Sequence, residues 1–384
     1  MRWLLLSFSL LTCAVSLLNW GRAPDYRWAW KLAIVAGEFG HWLVLLPLGV
    51  AVIAFVTLDG GSRLACVLLC GIAVAGLLRP VVTAKRIAGV LPGELSAAFG
   101  AIREPSPPPF GFGRLFWRNG FARIMPRTEI VAQPDGQELR LDFYAPSTAD
   151  HARRAPCIVM IHGGGWDSGD RKQLDDWNFI LAARGYAVAA ISYRLAPRAI
   201  WPAQREDILA SIAWLKAHAD QLGIDTTRLV LMGRSAGGQL ATAVSYGAHD
   251  PAIRGVVALY APHDMPFAWS VSREDDALNS VNLMKQYFGG PPDTPERLAR
   301  YESASGQLLA RADSPPTLLI HGVPDTLSWF RHSERLAARL QELGVRHYYL
   351  CLPWATHGFD FNPDGPGGQL ADEAIGEFLA ATLR

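Results

Sequence analysis

The residues most suited to chemistry in this 384-residue chain lie in Gly233-Arg-Ser-Ala-Gly237, which fits Gly-x-Ser-x-Gly. The pentapeptide alone is common and can be a plain helix-capping turn. Here it sits between the apolar run Leu229-Val-Leu-Met232 and the helix-like stretch Ala236–Tyr246. Strand, sharp turn and helix together form a nucleophile elbow, which exposes a serine Oγ at the end of a sheet. Ser235 is therefore the expected nucleophile. A serine hydroxyl needs a general base, and the base needs a carboxylate to orient it. The apolar run Thr317–Ile320 leads into His321-Gly-Val-Pro-Asp325, and His347–Leu352 leads into Pro353-Trp-Ala-Thr-His357. Both Asp325 and His357 thus fall on loops after strands.

On this kind of scaffold the chain order is serine, acid, histidine. Asp325 and His357 satisfy it. Asp313 precedes its strand and Asp360 follows the histidine, so both rank lower as the acid. His321 reads as a turn residue, because no acid would then stand between Ser235 and the base. His162-Gly-Gly-Gly165 follows the apolar run Cys157–Ile161. Its glycines let backbone N–H groups turn toward a bound carbonyl and stabilise an oxyanion with the N–H of Ala236. Any two of the three glycines serve; Gly163 and Gly164 are the expected pair. A phosphate-binding loop would need Gly-Lys-Ser/Thr or Gly-x-Gly-x-x-Gly, and neither occurs. Trp166 and Trp354 adjoin these loops and are candidate substrate contacts.

The elements that must position these groups alternate along the chain. Thr128–Ala132 and Glu138–Tyr144 flank Pro134-Asp-Gly136 as a hairpin. Strand signals at 157–161, 186–193, 229–232, 255–260, 317–320 and 347–352 are separated by helix signals at 174–184, 203–219, 236–246 and 328–343, with a closing helix at 371–383. The pattern predicts an α/β three-layer sandwich with a mainly parallel sheet. Residues 265–313 interrupt the alternation and are expected to form an insertion over the active-site end, with Phe267, Trp269, Tyr287 and Phe288 as pocket or packing aromatics.

Taken together, His162-Gly-Gly-Gly-Trp166, Tyr193-Arg-Leu-Ala-Pro197, Gly233-Arg-Ser-Ala-Gly-Gly238, His321-Gly-x-x-Asp325 and His357-Gly-Phe359 resemble the hormone-sensitive-lipase and feruloyl-esterase-like (BD-FAE) branch of α/β-hydrolases. The resemblance covers roughly residues 125–384. It implies hydrolysis of carboxylic esters through an acyl-enzyme, with no metal or organic cofactor, and a structural role for Tyr193–Pro197. Amide or formamide hydrolysis and acyl transfer use the same constellation. A binding protein on a relic of the fold would be expected to lack a member of the triad. Arg234 departs from the family, which often has Asp or Gly there; a guanidinium at that position would raise the local potential or pair with a buried acid.

The first hundred residues read differently. Apolar stretches at 3–20, 42–58 and 64–78 are each near the short end for a bilayer span. Trp3 and Trp20 bracket the first as interface aromatics do. A cleaved signal peptide would want a stronger basic start and a small-residue cleavage site. A buried soluble helix would want a polar face, which the second and third stretches lack. Three spans place Arg22, Arg27 and Lys31 on the same side as Arg79, Lys85 and Arg86, and the positive-inside rule then puts the C-terminal region in the cytoplasm. Lys31, Glu38 and His41 leave two spans or a re-entrant layout open. The expected organisation is a helical membrane region (1–102), a Pro/Gly-rich linker (103–113) and a hydrolase domain (114–384).

Net charge is +1 and charged residues make up 18% of the chain, which gives no footprint for nucleic acid. The five cysteines are irregularly spaced, and neither Cys-x-x-Cys nor His-Glu-x-x-His occurs, so neither a disulfide framework nor a metal centre is expected. The partners implied are a small-molecule or lipidic ester and a bilayer.

Overall fold

The computed structural model describes residues 1–100, 110–117, 123–147 and 154–383. The expected linker therefore lies mostly outside the described residues. Eight strands form one sheet: β1 (Arg127–Ala132), β2 (Leu139–Tyr144), β3 (Ala155–Ile161), β4 (Ala187–Ile191), β5 (Ile224–Arg234), β6 (Ile253–Leu259), β7 (Thr317–Gly322) and β8 (His347–Leu352). Their order is β1-β2-β4-β3-β5-β6-β7-β8. The β1–β2 and β2–β4 pairs are antiparallel and the remaining neighbours are parallel. Cys157–Ile161 and Ala187–Ile191 are buried without interruption, because helices cover both faces of a parallel sheet. This is the expected α/β-hydrolase sandwich. The insertion contains helices Met265–Val271, Ser280–Phe288 and Pro295–Ser303.

Four N-terminal helices precede the sheet: α1 (Arg2–Leu17), α2 (Arg27–Glu38), α3 (Gly40–Thr57) and α4 (Gly60–Phe99). Among the described residues, α3 and α4 are long and apolar enough to cross a bilayer, whereas α1 has 16 residues. Helices α1, α3 and the first half of α4 pack together with an inverted polarity. Ser9, Ser16, Cys66, Cys70 and Ala73 are buried between them, while Trp3, Leu11, Phe55 and Leu68 face outward. Gly76 lets the helices close up: a Cβ there would stand 2.8 Å from the Ser16 side chain.

Two features differ from the sequence expectation. The stretch before the second span, unassigned in the sequence, is a helix of its own. Residues 27–38 form a separate helix, α2, which contacts the C-terminal helix Pro366–Thr382. The third stretch does not stop at Leu78. Arg79 finds carbonyl acceptors on Asn19 and Pro353 and lies over the Trp20 ring, so the charge does not end the helix. Pro80 is accommodated inside it. Beyond Pro80, Val81, Ala84, Ala88, Leu91, Leu95 and Phe99 form a buried stripe at helical spacing. They join the core that includes Trp354, Ile375 and Phe378. Residues 81–99 thus pack against the α/β sandwich.

Candidate active site

Ser235 closes β5 and caps the following helix, Ala236–Ala248, with φ 53° and ψ −122°. The tight turn that holds this strained conformation closes because Gly233 and Gly237, two residues to either side, lack side chains. A Cβ on Gly237 would collide with the carbonyls of Ile161 and His162, and one on Gly233 with the backbone of Gly237. The serine Oγ is thereby presented to the loop after β8. His357 Nε2 lies 2.9 Å from Ser235 Oγ, and His357 Nδ1 lies 2.8 Å from Asp325 Oδ2. With the carboxylate accepting from Nδ1–H, Nε2 is left to accept from the serine hydroxyl.

Asp325 is fully buried. Its other oxygen accepts from the N–H groups of Leu327 and Ser328 at 2.8 and 2.9 Å. Burial alone would push its carboxyl up, but the imidazoles of His357 and His321 hold it well below the usual carboxylate range. His321 is not in a turn. It lies in β7, one residue before the strand ends, where Ser333 Oγ and the Ser328 carbonyl lie within hydrogen-bond distance of its two ring nitrogens, and it braces the acid loop. The nearby His332 is kept neutral: burial, then His321, push it down to about 3.

The glycine loop requires a correction. The Gly163 N–H donates to Gln173 Oε1 at 2.7 Å and is already satisfied. Gly164 and Gly165, with φ of 113° and 60°, are the glycines that line the cavity with their N–H groups uncommitted among the described residues. Ala236 N–H, at the first turn of its helix, is likewise uncommitted there. Trp166 borders the site, stacked on Tyr287 at 4.4 Å and donating to Gln239 Oε1. Trp354 does not line the site. It is buried in the core, and its Nε1 donates to Glu38 at 3.4 Å. Tyr287 and Phe288 pack the insertion, Phe288 being stacked on Tyr301.

Arg234 has a partner. Its guanidinium pairs with Asp360, and both side chains are buried. Tyr260 donates to the second oxygen of Asp360 at 2.6 Å and lays its ring 4.5 Å from His357. Arg234 precedes the serine and Asp360 follows the histidine by three residues, so this pair joins the two loops.

Helix α2 closes the cleft. Trp30 Nε1 donates to the His357 carbonyl at 2.7 Å, Arg27 to the Ala277 carbonyl at 2.9 Å, and Glu38 accepts from Gly367 N–H at 2.9 Å. Burial pushes the Glu38 carboxyl up to about 8, against the lowering effect of its Gly367 and Trp354 hydrogen bonds. Reading the sequence missed this helix. The signal available was Trp30 and Ile34, spaced by four beside the alanines of a helical face.

The BD-FAE family matches residues 141–340. LipM of Mycobacterium tuberculosis, a probable carboxylic ester hydrolase, is 26% identical, with 92% of this chain and 86% of that protein covered. The ethyl acetate hydrolase of Pseudomonas putida is 38% identical, over 63% of this chain and 77% of its own. Among solved structures, a bacterial heroin esterase superposes with a TM-score of 0.61 at 26% identity, covering 71% of this chain and 88% of that one. The family match spans more than half of the chain and encloses the elbow and the acid loop; the chain belongs to the BD-FAE family of α/β-hydrolases and is a carboxylic ester hydrolase.

Proposed function

We propose that Ser235, His357 and Asp325 are the catalytic triad of a membrane-anchored esterase working through an acyl-enzyme. Ser235 Oγ attacks the ester carbonyl as His357 Nε2 takes its proton. The same proton then goes to the leaving alcohol, and water hydrolyses the acyl-enzyme by the reverse route. Asp325 holds the imidazole tautomer and stabilises the imidazolium. The N–H groups of Gly164, Gly165 and Ala236 stabilise the oxyanion.

The observation that carries this reading is the unbroken relay, 2.8 and 2.9 Å, ending on a serine held at positive φ. The test is turnover of a p-nitrophenyl ester together with labelling by a fluorophosphonate. Ser235→Ala is expected to lose both, with a fall in kcat of at least about 10³-fold. Activity or labelling that survives in this variant would overturn the assignment.

The anchor is the bundle of α1, α3 and the first half of α4. Its outward large apolar side chains and buried small ones suit lipid better than water. The basic residues Lys85 and Arg86 on the hydrolase side favour a cytoplasmic enzyme. Protease accessibility of the C-terminus in sealed vesicles tests the orientation: protection in inside-out vesicles would reverse it.

A further inference from the structure

Two cavities meet at Ser235, and they differ in size and setting. The smaller, of about 200 Å³, lies beside Ala236, Gly165, Trp166, Leu283 and Trp329. The larger, of about 520 Å³, lies beside His357 and is walled by Trp30, Ile34 and Phe39 of the N-terminal region facing Leu174, Tyr260 and Leu327. The larger cavity shares Phe39, Leu174 and Phe361 with a depression lined by Trp42 and Phe116 at the start of α3. Trp42 and Phe116 are in edge contact at 5.1 Å. Both, like Phe361, are substantially exposed. Aromatic side chains of this kind, at the foot of an apolar helix, sit at the level where bilayer meets water. An apolar chamber beside the reacting atoms thus adjoins, across Phe39, Leu174 and Phe361, a depression at the foot of α3 whose far rim carries Arg114, Asp175 and Asp364.

We infer that the substrate is an ester of a long apolar alcohol with a short acyl group, the alcohol chain entering from the bilayer under α2. This rests on the triad proposed above. In that mechanism the bond from Ser235 Oγ to the acyl carbon forms. The bond from that carbon to the alcohol oxygen breaks, and the departing oxygen takes the proton from His357 Nε2. The leaving oxygen must therefore lie on the His357 flank, and its chain fills the cavity that His357 borders. The acyl group is left on the Ala236 flank, in the smaller cavity. The apolar lining of the larger chamber takes a long chain out of water.

The test compares two isomers, dodecyl acetate and ethyl dodecanoate, on the full chain in detergent micelles. They share a formula and partition alike, so a difference reports the site. Dodecyl acetate is expected to be turned over with kcat/KM at least fivefold higher; a smaller margin, or the reverse order, overturns the inference. Ile34→Trp, which fills the larger chamber, is expected to lower the ratio of dodecyl acetate to ethyl acetate kcat/KM at least fivefold. An unchanged ratio in folded, fluorophosphonate-reactive protein counts against the inference. Because the isomer comparison needs no substitution, a variant that fails to fold does not blunt the test. If wild-type Ser235 labels but the isomers react alike, only this inference falls; if Ser235 does not label, the triad falls with it.

Discussion

The N-terminal bundle and the hydrolase are built on opposite rules. In the hydrolase, Leu, Ile, Val and the large aromatics are inside, and buried charges such as Arg234 and Asp360 are paired. In the bundle, Ser9, Ser16, Cys70 and Ala73 are inside and Trp3, Leu11, Phe55 and Leu68 are outside. Water drives the first arrangement. In lipid the tails are as apolar as leucine, so close packing of small residues holds helices together instead. Helix α4 belongs to both regions. Its first half lends Cys66, Cys70 and Gly76 to the bundle, and its second half lends Leu91, Leu95 and Phe99 to the hydrolase core.

Four sets of substitutions press on this difference. The largest effect is expected in the hydrolase. Asp360→Ala strands the buried Arg234 cation and is expected to cost about 3–5 kcal/mol of stability, measured by denaturant unfolding in micelles. Asp360→Asn, which keeps a hydrogen-bond acceptor for Tyr260, should recover part of that loss. Next is the outer surface. Leu68→Lys, mid-helix in the bundle, is expected to cost about 2.5–3.5 kcal/mol of insertion free energy and to release protein from membranes on carbonate extraction. Leu308→Lys, equally exposed on the hydrolase, should change stability by no more than about 0.5 kcal/mol. If both behave alike, the bundle is not in lipid.

The third concerns the seam between the regions. Glu38 has its folded pKa raised from 4.5 to about 8. The folded state therefore holds a proton that the unfolded state has lost between those values, and stability falls as pH rises through that window. Between pH 5 and 9 the loss is expected to be on the order of a few kcal/mol. Glu38→Gln should flatten the dependence in thermal unfolding; an unaltered slope would mean that another group controls it. The smallest effect is Ser9→Ala, which removes the contact with Cys70 at 3.4 Å and should cost about 0.6 kcal/mol.

The sheet and the relay were legible because they depend on local pattern. Alternating strand and helix signals pointed to the sandwich, and the positions of Asp325 and His357 at strand ends pointed to two side chains that the fold brings to Ser235. What the sequence hid depends on contacts between distant segments. Gly163 looks like any glycine of its loop until Gln173, ten residues on, takes its N–H. Arg234 is a lone charge until the chain brings Asp360 beside it, 126 residues later. Trp354 adjoins His357 in sequence, yet the turn between them sends its ring into the core. Helix α2 has no motif of its own in the sequence, and only the fold brings Trp30 and Ile34 over the cleft. Arg79-Pro80 reads as a stop, and it is the changeover point of a single helix.

That continuity has a geometric consequence. At ~1.5 Å and ~100° per residue, α4 sets both the distance of the cleft from the N-terminal bundle and the direction in which it faces. One residue added near Pro80 would turn the enzyme by more than a quarter revolution, and four would bring it nearly back into phase one turn higher.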